Sequence, residues 1–159
     1  MAESIAENVV VVADLDPNFS DEVASLPGGT NIKRCFACGT CAAGCPVTTV
    51  DQEYNCRTII RKVLLGMREE VLKSPVIWFC VMCYRCYARC PQQVNFTDIM
   101  KVLRYLAIKE GYVSSDMLTN SSEVDRLAHM IRRDMIKSSV EGRKQVIEEI
   151  KTKIAETSA

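Results

Sequence analysis

The chain has 159 residues, 48% hydrophobic and 25% charged, which suits one compact domain with tails and excludes an intrinsically disordered polymer. No run of 18 or more apolar residues occurs, so no membrane insertion is expected. Twenty basic and twenty acidic side chains cancel unevenly: residues 1–30 carry six acids and no base, 31–91 nine bases against four acids, and 92–159 eleven bases against ten acids.

In chain order, residues 1–30 form an expected acidic N-terminal arm. Val9–Val12 has the pattern of a short strand, and the turn-rich stretches "DLDPNFSDE" and "LPGGT" follow. Such an arm is expected either to be disordered or to lie along a partner. The opening "MAESIAENVVVVADLD" has no basic segment, and its apolar run Val9–Ala13 is too short for a secretory signal. The expected setting is therefore a reducing cytoplasm, where nine cysteines point to metal rather than to disulfides.

"CFACGTCAAGCP" runs from Cys35 to Pro46, and "CVMCYRCYARCP" from Cys80 to Pro91. Both read C-x2-C-x2-C-x3-C-P at an offset of 45, and Ile32/Ile77, Ala43/Ala88 and Gly66/Gly111 extend the repeat. Structural zinc normally takes two C-x2-C pairs separated by a long loop. Three thiols within seven residues, with a fourth displaced and followed by proline, instead suit three corners of a cubane and a more distant fourth. In two-cluster bacterial ferredoxins with this run, the fourth cysteine ligates the other cluster. The same crossing here assigns Cys35, Cys38, Cys41 and Cys90 to one [4Fe-4S] cluster, and Cys80, Cys83, Cys86 and Cys45 to the other. With four cysteines each, neither cluster keeps an open iron for substrate, so an electron relay is expected and no catalytic residue. The basic surplus of residues 31–91 is read as compensation for anionic clusters. Nucleic acid is not expected as a partner, and a zinc-stabilised nucleic-acid module is the competing reading.

Helices are expected after each cysteine loop. Asn55–Leu65 carries Ile59, Ile60, Val63 and Leu64 at helical spacing with Gly66 beyond its end; "MREEVLKSP" suggests a short helix stopped at Ser74-Pro75. Thr97–Glu110 has Thr97 as candidate N-cap, a stripe of Ile99, Val102, Leu103 and Leu106, and Gly111 as its stop. Residues 118–159 form a C-terminal extension of two amphipathic helices, the second with Val146, Ile147, Ile150 and Ile154 on one stripe. Their apolar stripes either cover the chain's own core or dock a second subunit. Cys56 has no counterpart at offset 45, where Lys101 stands, and reads as a small buried hydrophobe. His129 reads as a structural or surface residue. Trp78 and Phe79 read as shielding of a cluster and core packing.

The stretch "RTIIRKVLLGMREEVLKSPVIWFCVMCYRCYARCPQQVNFTDIMKVLRYLAIKEG" resembles the C subunit of heterodisulfide reductase, the small iron–sulfur subunit of soluble complexes of methanogenic archaea. The likeness runs from about Ile32 to Met117, through both cysteine motifs, "LLGM", the aromatic pair before Cys80 and the "CPQ" after it. It implies a mainly α fold, an alpha-helical ferredoxin domain over 31–117 with two crossed clusters. It also implies a relay from the flavin-containing subunit to the disulfide-reducing subunit, which acts on the mixed disulfide of coenzyme M and coenzyme B. Electrons would enter indirectly from a hydrogenase or formate dehydrogenase. The chain has no adjacent cysteine pair for disulfide chemistry, no G-x-G-x-x-G nucleotide motif and no plant-type C-x4-C-x2-C run. A related relay with a quinone or sulfur-compound acceptor is the alternative.

Overall fold

Helices carry the whole fold: among the described residues no strand occurs, and the mainly α class expected from the sequence is the one adopted. The computed structural model describes residues 10–142 and 145–157. Of the expected strand Val9–Val12, Val9 lies outside these residues. Val10 and Val11 are irregular, and Val12 opens a 3-10 turn, Val12–Asp14. These three valines are exposed and find no ladder to join, which is why alternating propensity alone does not make a strand here. No helix among the described residues is long and apolar enough to cross a membrane. The chain divides into two compact units, at Ser114/Ser115.

In the first unit, the acidic stretch is part of the core from residue 19 onward. Helix α1, Phe19–Ser25, begins with Asp21 and Glu22 in its first turn and ends ahead of Pro27. Phe19 and Val23, one turn apart, are completely buried. The chain then turns so tightly that a Cβ at Gly29 would stand 1.8 Å from the Val23 carbonyl oxygen, so only glycine fits. Arg68 fastens the segment: its guanidinium reaches Asp16 at 2.9 Å, Glu22 at 2.6 Å and Glu110 at 2.5 Å, and lies 5.1 Å from the centre of the Phe19 ring. Hydrogen bonding to Glu110 above all raises the guanidinium's pKa, so it stays charged at any working pH.

The sequence repeat is also a backbone repeat. Short helix α2, Thr40–Ala43, is followed by α3, Cys56–Leu64, and α4, Arg68–Lys73; α5, Arg85–Arg89, is followed by α6, Phe96–Lys109. Asn55 caps α3 by accepting from the Arg57 and Thr58 amides at 3.1 and 3.2 Å. Cys56, Ile59, Ile60 and Val63 then face the core, each aliphatic side chain contributing about 1.5–3 kcal/mol by burial. Both long helices end in the same Schellman closure. Gly66 and Met67 donate to Val63 and Lys62, Gly111 and Tyr112 to Ile108 and Ala107, with both glycines at positive φ. Ser74 caps a 3-10 turn, Pro75–Trp78, accepting from the Val76 amide at 3.2 Å.

Helix α6 starts one residue before the expected cap. Its N-cap is Asn95, in a left-handed conformation, and Thr97 lies inside the helix, completely buried. The two halves drift apart in register between cysteine loop and helix. Nine residues separate Cys45 from Asn55, and four separate Cys90 from Asn95. Helix α6, at 14 residues, is five longer than α3, at 9, which restores the offset of 45 at Gly66/Gly111. Cys56 therefore does have a structural counterpart, Phe96, at offset 40, because the insertion moves the register. Helix α6 buries Phe96, Ile99, Met100, Leu103 and Leu106 as the centre of the unit.

The second unit consists of α7, Asp116–Val140, and α8, Gln145–Thr157. Val146's side chain lies outside the described residues. Leu118, Val124, Leu127, Ile131 and Ile136 of α7 and Ile154 of α8 are exposed, and His129 is exposed on α7.

Candidate metal centres

Each cysteine loop curls by the same device. Ala37 and Met82, at φ 59° and 49°, are left-handed at equivalent positions, as are Gly39 and Tyr84, at 82° and 58°. A non-glycine residue in this conformation costs about 1–2 kcal/mol. The curl wraps the first three cysteines of each loop round a void. Gly39 and Tyr84 then serve as N-caps of α2 and α5, which pack against each other.

The fourth cysteine of each loop does not face its own void. The first void is lined by Cys35, Cys38, Cys41 and Cys90, with Cys86 on its wall. The second is lined by Cys45, Cys80, Cys83 and Cys86, with Cys56 beside them. All nine thiols are free. The helix starts enter by the same exchange. Cys56 from α3 and Thr97 from α6 line the second void; Arg57 from α3 and Phe96 from α6 line the first. Two residues ahead of each helix's first turn, Val94 lines the first void and Tyr54 the second. Both N-termini thus direct partial positive charge toward the voids. Among the described residues no carboxylate lines either one.

Hydrogen-bond donors reach several of the sulfurs. On the first side Thr40 Oγ1 lies 3.4 Å from Cys38 Sγ, and the Val94 amide donates to Cys90 Sγ at 3.4 Å. On the second, Thr97 Oγ1 lies 3.2 Å from Cys86 Sγ. The Thr40 hydroxyl draws the Cys38 thiol down, while burial pushes Cys35 and Cys86 up. Hydrogen bonding between Cys41 and Cys56 holds Cys41 down to about 7 and drives Cys56 well up. Burial, then charge and hydrogen bonding at Cys80, keep Tyr54 protonated.

Arg104, 6% exposed, anchors the second loop to α6. It donates to the Ile77, Trp78 and Cys80 carbonyls at 2.9, 3.1 and 2.9 Å and lies 5.1 Å from the Trp78 ring centre. Trp78 is therefore core packing under Arg104, and Phe79 is exposed; neither lines a void, so shielding falls to Ile60, Val94 and Phe96 on one side and Val47 and Tyr54 on the other. Gly44 leaves room for the Arg89 guanidinium, which would stand 2.2 Å from a Cβ there. Cys38 and Cys83 are exposed, so each void has one thiol at the surface.

The donor set fits a pair of cubanes. Four thiols spread round a void suit four separate iron corners. The model of the 4Fe-4S dicluster domain family matches residues 31–94, and the chain accordingly takes two [4Fe-4S] clusters. Over 123 residues the chain is 34% identical to the C subunit of the H(2):CoB-CoM heterodisulfide,ferredoxin reductase of Methanothermobacter thermautotrophicus, covering 77% of this chain and 65% of that protein. It is 38% identical over 130 residues to the iron-sulfur C2 subunit of the CoB–CoM heterodisulfide reductase of Methanocaldococcus jannaschii, covering 77% and 69%. It is 36% identical over 124 residues to the C2 subunit of the H(2)/formate:CoB-CoM heterodisulfide,ferredoxin reductase of Methanococcus maripaludis, covering 78% and 63%. The match spans slightly less than two thirds of the first and third of these relatives.

Proposed function

The chain belongs to the family of heterodisulfide reductase C subunits, and from that premise we propose that it is the electron relay of a multi-subunit oxidoreductase. It would take electrons from a flavin-containing subunit. It would deliver them to a second, cysteine-rich subunit, which reduces the disulfide joining coenzyme M and coenzyme B. Relatives named for hydrogen and for formate support a hydrogenase or formate dehydrogenase as the distal donor; the complex would be cytoplasmic. The observation that carries the relay reading is the exchange of fourth cysteines between two adjoining voids.

In this reading Cys35, Cys38, Cys41 and Cys90 hold one cluster, and Cys80, Cys83, Cys86 and Cys45 the other. When bound, each cluster stores and passes one electron at a time. The chain's own residues do the rest. Cys86, on the wall of both voids, brings the two centres close. Ile60, Phe96 and Tyr54 keep water out, and the helix starts with Arg57 and Arg85 offset negative charge. The exposed thiols Cys38 and Cys83 give each centre an edge for exchange with a neighbouring protein of the complex.

Anaerobically purified protein tests the reading. About eight irons and eight acid-labile sulfides per chain are expected, and co-purification of a flavoprotein with a second cysteine-rich protein. Stoichiometric zinc without sulfide refutes it.

A further inference from the structure

The two cysteine loops share one backbone but present different surfaces. Where the first loop has Gly39, at φ 82°, the second has Tyr84, at φ 58°. Where the first has Ala42, the second has Tyr87. A tyrosine in left-handed backbone is strained where a glycine is not, and strain of this kind clusters at functional sites. Tyr84 directly follows the exposed thiol Cys83. Its ring packs edge-on to Tyr87 with 6.1 Å between centres, and Lys101 Nζ of α6 donates to its hydroxyl at 2.6 Å. Both rings nevertheless stay open to solvent, at 42% and 44% exposure. Lys101 joins the pair to a groove of about 350 Å³ between α6 and the chain after α1, lined also by Leu26, Pro27, Val102 and Tyr105. Tyr105, one turn beyond Lys101, is 54% exposed. Charge on this face has one sign. Lys101 takes up Asp98 at 2.8 Å, and Arg85 and Arg89 of α5 are exposed with no ion pair among the described residues.

We propose that Tyr84, Tyr87, Lys101 and Tyr105, with the groove beside them, dock an acidic redox protein, which exchanges electrons with the second-loop cluster at Cys83. This rests on the relay reading above and goes beyond it, since exposed Cys38 and Cys83 alone make the two edges equal. Tyrosine and arginine are the residues that protein interfaces concentrate. Unpaired cations on the patch select a partner of opposite charge. A second copy of the chain would bring this patch against itself in a two-fold dimer, setting Arg85 and Arg89 against their own kind. An anionic lipid surface would satisfy the cations but take no electron from Cys83. The first loop, with Gly39 and Ala42 at the equivalent positions, has no such aromatic platform beside Cys38.

The test is the complex purified anaerobically through a tag on this chain, as wild type, Lys101→Glu, Tyr105→Ala, Tyr84→Gly and, for control, Arg61→Glu. Arg61 is exposed and stands at the same step past Cys56 on α3 as Lys101 does past Phe96 on α6. Iron and sulfide are measured first. The companions retained per tagged chain are then counted by mass spectrometry across a salt series, and their contacts are mapped by cross-linking. One redox companion, touching this face through an acidic surface, is expected to be retained about tenfold less by Lys101→Glu and Tyr105→Ala, and to leave wild type as salt rises. Arg61→Glu should retain it within about twofold. Tyr84→Gly gives the second loop the residue that the first already carries, so it should keep both clusters and still lose the companion. Unchanged retention in the loaded variants, a wild type that dimerises through this face, or a companion without a redox centre overturns the docking and leaves the relay standing. Loss of iron from every variant would make the face a structural one and overturn the docking likewise. A wild-type chain lacking iron and sulfide overturns the relay itself.

Discussion

Replacing Arg68 by methionine removes the fastening of the acidic N-terminal segment while keeping much of the apolar stem. Two of its three ion pairs, to Asp16 and Glu22, hold that segment, and the third, to Glu110, orients the guanidinium from the end of α6. Arg68 is 24% exposed and each of the two acids 31%, so the pairs are screened and about 0.5–1 kcal/mol apiece is appropriate. The contact with the Phe19 ring adds roughly 0.5 kcal/mol. The sum is close to 2 kcal/mol, or about a thirtyfold rise in local opening at 1.4 kcal/mol per decade. Hydrogen exchange of the loaded protein reads this directly on the amides of residues 16–26. Lys109→Met is the control, since Lys109 stands 3.6 Å from Glu22 with more than half its side chain exposed, and should change exchange less than about twofold. Protection of residues 16–26 within twofold of wild type in Arg68→Met would refute the claim that this segment is fastened by charge rather than by Phe19 and Val23 alone.

The two Schellman glycines offer a matched pair. Gly111→Ala meets nothing within 4 Å and should cost only the left-handed conformation, about 1 kcal/mol, whereas a Cβ at Gly66 stands 2.3 Å from the Asp16 carbonyl oxygen. Gly66→Ala should therefore cost at least twice as much in denaturant unfolding; equal costs would contradict the close approach. Arg104→Met strands three buried carbonyl acceptors and should destabilise the first unit by about 3 kcal/mol or more. It should also reduce iron retention more at the second-loop cluster than at the first. Equal loss at both clusters would mean that Arg104 serves the core and not the loop.

The parts of this molecule that residue spacing reveals are those written in residue type. Eight cysteines at a fixed offset announce the loops, and Asn55 with Ile59, Ile60 and Val63 announces α3. The curl of the loops is not written that way, because Ala37 and Met82 take left-handed backbone that neither residue type advertises. Thr97 looks like a cap by type, but burial turns it toward Cys86, and Asn95 caps through backbone conformation without a side-chain bond. Helix α1 shows only Phe19 and Val23 amid turn residues, too little pattern to separate from an arm; its charged partners lie far along the chain, at Arg68 and Lys109. The counterpart of Cys56 is hidden by the longer link between Cys45 and Asn55, which a fixed offset of 45 cannot follow.

The crossing of fourth cysteines is tested most directly by comparing four loaded variants by electron paramagnetic resonance: Cys38→Ser and Cys83→Ser as markers of the first and second loops, and Cys45→Ser and Cys90→Ser as the question. The account predicts that Cys45→Ser perturbs the same signal as Cys83→Ser, and Cys90→Ser the same signal as Cys38→Ser. Cys45→Ser pairing with Cys38→Ser, each loop then completing its own cluster, would contradict it.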